Sequence, residues 1–446
     1  MLTKHPLIGL SLHVFLGVAI YLQPSLGYIW LSLVILLALY DILVNKDRMY
    51  QAGMWAAYLA GLEVLLRMTK TSFFWEGGKY GIIMLLLLGL TFSVRKKTPT
   101  FLIFFILLLP SISLLNFSDI AEVRDFVSFN LSGPLCLAVS ATYFYRITLT
   151  SNLITTLVRY FVFPIISILV YLSLKTPDVS DIAFRSSSNF AASGGFGPNQ
   201  VSLILGIGIF LIVLLNFYNL SLSGIKIIDY GLTGLLLFRA FVTFSRGGVF
   251  GAGLAILVLF VSFFWSNPHR LNVRYIILSL IVGGVLLYVW DYANKITEST
   301  LTYRYESIDP KTGMERDITT GRELLFLNEV EMFEENLAFG VGPGMASKYH
   351  EKQFGQLIAS HSEYSRMISE HGLFGVLALL ILVIAPLRHI LREIKIARPL
   401  LVAILIISLF SMLHSAMRLG AIGFLYGWVF LIVPLYNMKV SPNPRV

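Results

Sequence analysis

The amino-acid sequence predicts an all-α fold, a polytopic transmembrane helical bundle of about 12–14 spans, and three observations carry that reading. First, 56% of the 446 residues are hydrophobic and only 13% are charged. A soluble chain has no core large enough to hide that much apolar surface. Second, apolar runs of about 18 residues or more recur from end to end, the length that carries a helix across a ~30 Å hydrocarbon core. Third, these runs are continuously apolar rather than alternating, which excludes the strands of a membrane barrel.

The elements follow in order. The opening run "HPLIGLSLHVFLGVAIYLQP" comes after a short basic start and has no small-residue cleavage site, so 7–22 reads as a retained first span. Further spans are expected at 27–44, 51–67, 79–94, 100–115, 132–148, 152–173, 199–217, 223–244, 248–265, 274–291, 370–387, 398–414 and 418–436. The segments "NKDR" (45–48), "VRKKTP" (94–99), "NPHRLNVR" (267–274) and "LRHILREIKIARP" (387–399) are all basic, which places them and both termini in the cytoplasm. The net charge of +9 is thereby explained by cytoplasmic loops, with no nucleic-acid partner. Cys136, the single cysteine, lies in an apolar run and forms no disulfide. No internal repeat is evident, so 1–446 reads as one integral membrane domain with two long outer loops, 174–198 and 292–366. A loop as long as the second is usually functional or disordered. Within it, "GRELLFLNEVEMFEEN" sets Leu324, Leu325, Leu327, Val330 and Phe333 at helical spacing, predicting an amphipathic helix along the membrane.

Charges in or beside spans are costly unless paired, so each is a candidate site. "LLLFRAFVTFSRGG" puts Arg239 and Arg246 seven residues apart, on one helical face. Snorkelling to the outer interface suits Arg246 but not Arg239, which lies more than a turn deeper. Arg185 precedes "GGFGPNQ", a turn able to offer backbone N–H groups and a positive helix end to an anion; a plain loop with a helix-initiating Pro is the alternative. Together these arginines could clamp a diphosphate, because guanidinium forms paired hydrogen bonds and keeps its charge. His361, in "SHSEYSRMISEHGLFG", is either an interfacial polar residue or a general base, with Glu363, Tyr364 and Arg366 beside it. No HExxH spacing, P-loop or Rossmann fingerprint occurs, so neither a metal nor a nucleotide cofactor is expected.

Four stretches, "RSSSNFAASGGFGPNQ", "SRGG", "TGRELL…FGVGPG" and "HSEYSRMISEHGLFG", all expected on one face, together resemble the O-antigen ligase and polymerase superfamily. The resemblance implies a multi-pass glycosyltransferase of the bacterial inner membrane, inverting and metal-independent, with a periplasmic active site. It implies transfer of an oligo- or polysaccharide from undecaprenyl diphosphate to a hydroxyl acceptor. Arg185, Arg246 and Arg322 match the positions that hold the diphosphate, with Arg239 a further candidate, and His361 matches the acceptor-activating histidine. Glu363 and Tyr364 are candidate supports. The chain departs from the family at Ser362, where members often carry Asn, and in having more spans than is usual for the ligases. Lipid A–core is the first-ranked acceptor, ahead of another glycan (a polymerase) and a protein hydroxyl. The rival class, a transporter or lipid flippase, calls for acidic or His residues deep in several spans and for inverted repeats. Glu63 and Asp229 lie near span ends instead.

Overall fold

Helices that are apolar on every side must pack on lipid or on one another, and small residues decide how closely they do so. The computed structural model describes residues 5–94, 98–115, 120–176, 188–266, 273–309, 312–315 and 321–434. The helices run α1 (Pro6–Leu22), α2 (Leu26–Asn45), α3 (Gln51–Thr69), α4 (Gly77–Thr91), α5 (Thr100–Ile106), α6 (Ile120–Phe144), α7 (Ser151–Lys175), α8 (Pro198–Phe217) and α9 (Lys226–Val242). They continue with α10 (Arg246–Ser266), α11 (Val273–Ile296), α12 (Thr300–Glu306), α13 (Arg322–Glu335), α14 (Met345–Phe354), α15 (Glu363–Arg392), α16 (Arg398–Ser415) and α17 (Gly420–Trp428). No named strand occurs among the described residues; the only β-pairing there is two isolated bridges. The all-α prediction holds, and each segment expected as a span contains a helix. By length and composition α2, α6, α7, α8, α10, α11, α15 and α16 can each cross a membrane, and α1, α4 and α5 with its following 3-10 turn are shorter apolar helices.

The core is built around α8, buried along nearly its whole length. It packs on α10, whose approach is close enough that a Cβ on Gly248 would lie 1.9 Å from the Ser202 carbonyl oxygen. A similar contact joins α3 to α7, where a Cβ on Gly61 would lie 2.0 Å from the Phe161 oxygen. A buried charge network ties α3, α4, α6 and α17. Arg67 pairs with Glu63 (2.7 Å) and Glu76 (3.2 Å), Lys79 pairs with Glu76 (2.6 Å), and the Gly420 N–H donates to Glu63 (2.8 Å). Asp229 is likewise saturated, accepting from the Ser221 hydroxyl (2.7 Å) and from both the N–H (3.0 Å) and the hydroxyl (2.6 Å) of Ser223. Both span-end carboxylates are therefore committed to holding the fold.

The structure extends the sequence reading in two places. The long segment 292–366 is largely helical, carrying α12, α13 and α14. In addition, α6 begins at Ile120, inside the stretch read as a loop, and α15 begins at Glu363 rather than near 370. The polar start of α15 can be helical and buried because its charges pair internally: Arg366 bonds both Glu363 and Glu370, the latter at 2.9 Å. At Gly372 (φ 59°, ψ −138°) the helix breaks, separating a polar segment from the apolar one that follows.

Candidate active site

Helix starts supply this site. The first turns of α8, α10, α13 and α15 all reach one cavity of about 480 Å³, contributing Asn199, Arg246, Arg322 and Tyr364 respectively. Each start leaves backbone N–H groups without intrahelical partners and carries the positive end of a helix dipole, so four of them meeting make a region suited to an anion. The end of α16 adds His414, and α12 adds Arg304.

Arg246, Arg322 and His361 thus share one cavity. Arg246 donates to the Ser307 hydroxyl (3.0 Å) and to the Arg304 carbonyl oxygen (3.4 Å), and Arg304 donates through Nε to the Phe244 oxygen (3.1 Å). Arg322 Nη1 donates to His414 Nδ1 (3.0 Å), which leaves the proton of that imidazole on Nε2, facing Ser245 Oγ at 3.3 Å. Ser245 in turn donates to Asn199 Oδ1 (2.7 Å). A relay of neutral groups therefore aims the Arg322 guanidinium without cancelling its charge. Burial, then the nearby Arg246, lowers the Arg322 pKa from its usual value. In "SRGG", Gly247 has its own purpose, since a Cβ there would lie 2.1 Å from the His414 ring.

His361 is mostly buried, and its Nδ1 has no hydrogen-bond partner among the described residues. Burial first, then the charges of Arg418, Arg322 and His350, hold its pKa down to about 3. The imidazole is neutral at physiological pH and lines the cavity. Arg418 fixes the preceding backbone by donating to the carbonyl oxygens of Ala359 (3.1 Å) and Ser360 (2.7 Å). Its pKa falls to about 10, chiefly through burial.

The other expected residues are differently disposed. Arg239 does not line the cavity; it donates to the Thr176 hydroxyl (2.9 Å) and carbonyl oxygen (3.2 Å), closing the end of α7. Glu363 faces away from His361, pairing with Arg366 and accepting from the Met417 N–H (2.8 Å). Tyr364 lines the cavity while its hydroxyl donates to the Leu409 oxygen of α16 (2.8 Å). Ser362 caps α15, its hydroxyl accepting from the Tyr364 N–H (3.2 Å). Arg185 lies outside the described residues. The helix at "GRELLFLNEVEMFEEN" exists, but its apolar residues are divided: Leu325 lines the cavity, whereas Leu324 and Leu327 are exposed. Its buried face is carried by Glu329 and Met332.

Sequence reasoning missed Arg304, His414, Arg418 and Glu329. The signal for two of them was present in "HSAMRLG", a polar break between two spans of the same kind as "SRGG". Glu329 is 1% exposed, and its Oε1 lies 3.8 Å from His350 Nε2. His350 donates through Nδ1 to the Ile358 oxygen (2.8 Å). Among the described residues no three His, Cys, Asp or Glu side chains are grouped to hold a metal ion.

Beside the polar cavity lies a larger apolar one of about 1120 Å³, walled mainly by α9, α10 and α11. Phe250 and Phe410 line both. Fold and site together define a multi-pass membrane protein with a cationic chamber adjoining a lipid-sized apolar one. Residues 231–380 match the family model described as O-antigen ligase, which supports the O-antigen ligase superfamily for that segment. That match supports a membrane enzyme of the O-antigen ligase and polymerase kind. A comparison with curated proteins finds no match.

Proposed function

We propose that the chain transfers a glycan from undecaprenyl diphosphate to a hydroxyl of lipid A–core on the periplasmic side of the inner membrane, with inversion at the anomeric carbon. The observation that carries this reading is the placing of Arg246, Arg304, Arg322 and His361 on one cavity that shares two walls with an apolar chamber. The prenyl chain fits the apolar space, and the diphosphate fits the arginines and helix starts.

His361 accepts the proton of the acceptor hydroxyl as that oxygen bonds to the anomeric carbon. The bond from that carbon to the phosphate oxygen breaks, and undecaprenyl diphosphate leaves with its added negative charge. Fixed guanidinium groups stabilise that charge without reorganising, because their partners already hold them in place. A free-enzyme pKa of about 3 makes His361 a weak base. The bound diphosphate offsets the arginine charges that depress it, so donor binding raises the basicity of His361 when it is needed. Saturation of Glu63 and Asp229 by fold contacts leaves neither free to couple an ion, which weighs against a transporter.

The test is reconstitution with an undecaprenyl-diphosphate glycan and lipid A–core, alone and together. Transfer should appear only with both, survive EDTA, and fall about 10²–10⁴-fold in H361A and by a similar order in R246A and R322A. Chain lengthening without lipid A–core identifies a polymerase instead. Unchanged transfer in H361A removes that residue from the chemistry.

A further inference from the structure

A second cavity lies at the other end of α15, remote from His361. It holds about 710 Å³ between α5, α15 and the segment following α17. The α15 wall is a stripe at helical spacing, Leu377, Ile381, Ile384, Arg388 and Arg392, facing Phe101 and Leu107 around α5. Leu380 and Ile384 of this wall are 48% and 42% exposed, so the groove opens on the perimeter of the bundle. From Leu373 to Arg392 the helix rises about 28 Å, close to the thickness of a hydrocarbon core. The two arginines therefore sit at the level of the lipid headgroups.

Their surroundings leave them available. Arg388 and Arg392 are exposed and one helical turn apart, and neither has a hydrogen bond or ion pair among the described residues. Glu393, the nearest carboxylate in sequence, is turned elsewhere: its Oε1 lies 3.9 Å from His389 and its Oε2 is 3.5 Å from the Val433 N–H. His389 bonds the Leu431 carbonyl oxygen (3.1 Å). The hydroxyls of Thr98 and Thr100 lie at the same cavity.

We propose that this groove is a binding site for an anionic glycerophospholipid, with an acyl chain along α5 and α15 and the phosphate between Arg388 and Arg392. Charge complementarity selects the occupant. Two guanidinium groups with no partner among the described residues, set over an apolar slot, match a phosphodiester joined to a hydrocarbon chain, and a zwitterionic headgroup would return a cation to the same place. A protein partner would need to cover the apolar wall within the hydrocarbon layer, where lipid is already present. No residue of this groove lines the candidate active site, so the proposal stands or falls independently of the transfer reaction.

The experiment uses the full chain in nanodiscs made from equal parts phosphatidylglycerol and phosphatidylcholine, released into native mass spectrometry. Wild type should retain phosphatidylglycerol in preference. R388A/R392A should lose about thirtyfold of that preference, roughly fivefold per cationic side chain, and R388K/R392K should keep most of it. I384W, which fills the slot, should lose both lipids. Each variant is checked for an unchanged melting midpoint. Equal retention of the two lipids by wild type, or the same preference in R388A/R392A, overturns the proposal. A co-purifying polypeptide in place of lipid overturns it as well.

Discussion

At the scale of the residue, the site is governed by which charges are left uncancelled. His361 is held to a pKa of about 3 by burial and by Arg418 and Arg322, against 6.5 for an unperturbed imidazole. Protonation of the free enzyme's base sets the acid limb of kcat/KM, so that limb lies far below neutral pH. Removing a neighbouring positive charge raises the His361 pKa and moves the limb to higher pH. R322Q and R418Q should each show this in a kcat/KM profile, whereas an unmoved limb would mean that the limb belongs to another group. Glu329 behaves oppositely. Burial raises its pKa above 4.5, with the Ser360 and Ser365 hydroxyls and the charges of His350 and Arg366 opposing the rise. Its raised folded-state pKa favours the neutral acid, so its contribution to stability is complete below the unfolded pKa and is lost as pH rises through the folded one. E329Q should fold as well as wild type and lose that decline with rising pH, visible as a flatter melting-midpoint-against-pH curve. E329K, which buries a second cation near Arg366, should fail to accumulate.

At the scale of the element, the break at Gly372 sets the direction of the polar helix that follows His361. The chain 337–342 binds this break: the Leu373 N–H donates to the Leu337 oxygen (2.8 Å), Val341 to Ser369 (2.9 Å) and Gly342 to Glu370 (3.0 Å). A Cβ on residue 372 would lie 2.6 Å from both the Gly340 nitrogen and the Leu337 oxygen, at a φ of 59° that side chains disfavour. G372V should therefore cost about 2–4 kcal/mol, from strain and lost loop contacts, and lower transfer with it. A melting curve and a transfer assay on the same preparation check this, and retention of both wild-type values would show that the break is adaptable. The "FGVGPG" stretch thus serves as the clasp of α15.

At the scale of the whole molecule, the Glu63–Arg67–Glu76–Lys79 network joins helices from the two ends of the chain. It is fully buried, so removing one member strands opposite charges in a low-dielectric interior. E63A should destabilise the protein by about 3–5 kcal/mol and reduce its yield in membranes. E63Q, which keeps an acceptor for the Gly420 N–H, should lose less. Equal midpoints for E63A and wild type would show that packing alone holds α17 in place.

The sequence by itself determined the all-α membrane class and the helix within each expected span, and it named four residues that line the cavity, Arg246, Arg322, His361 and Tyr364. Hydropathy reports the class and the helices directly, because burial in lipid and hydrogen bonding along one helix are local properties, whereas the resemblance to the ligase superfamily singled out Arg322 and the role of His361. The sequence could not say which neighbour each polar side chain would meet. Periodicity put Arg239 and Arg246 on one face, yet the turn between α9 and α10 sends Arg239 to the end of α7 and Arg246 to the cavity. Adjacency put Glu363 beside His361, yet His361 lies before the helix begins, while Glu363 in its first turn is held by Arg366 and the Met417 N–H. Tertiary structure brought in Arg304, His414 and Arg418. His414 meets Arg322 across 92 residues of sequence, and such a contact is fixed only by how the helices between them pack.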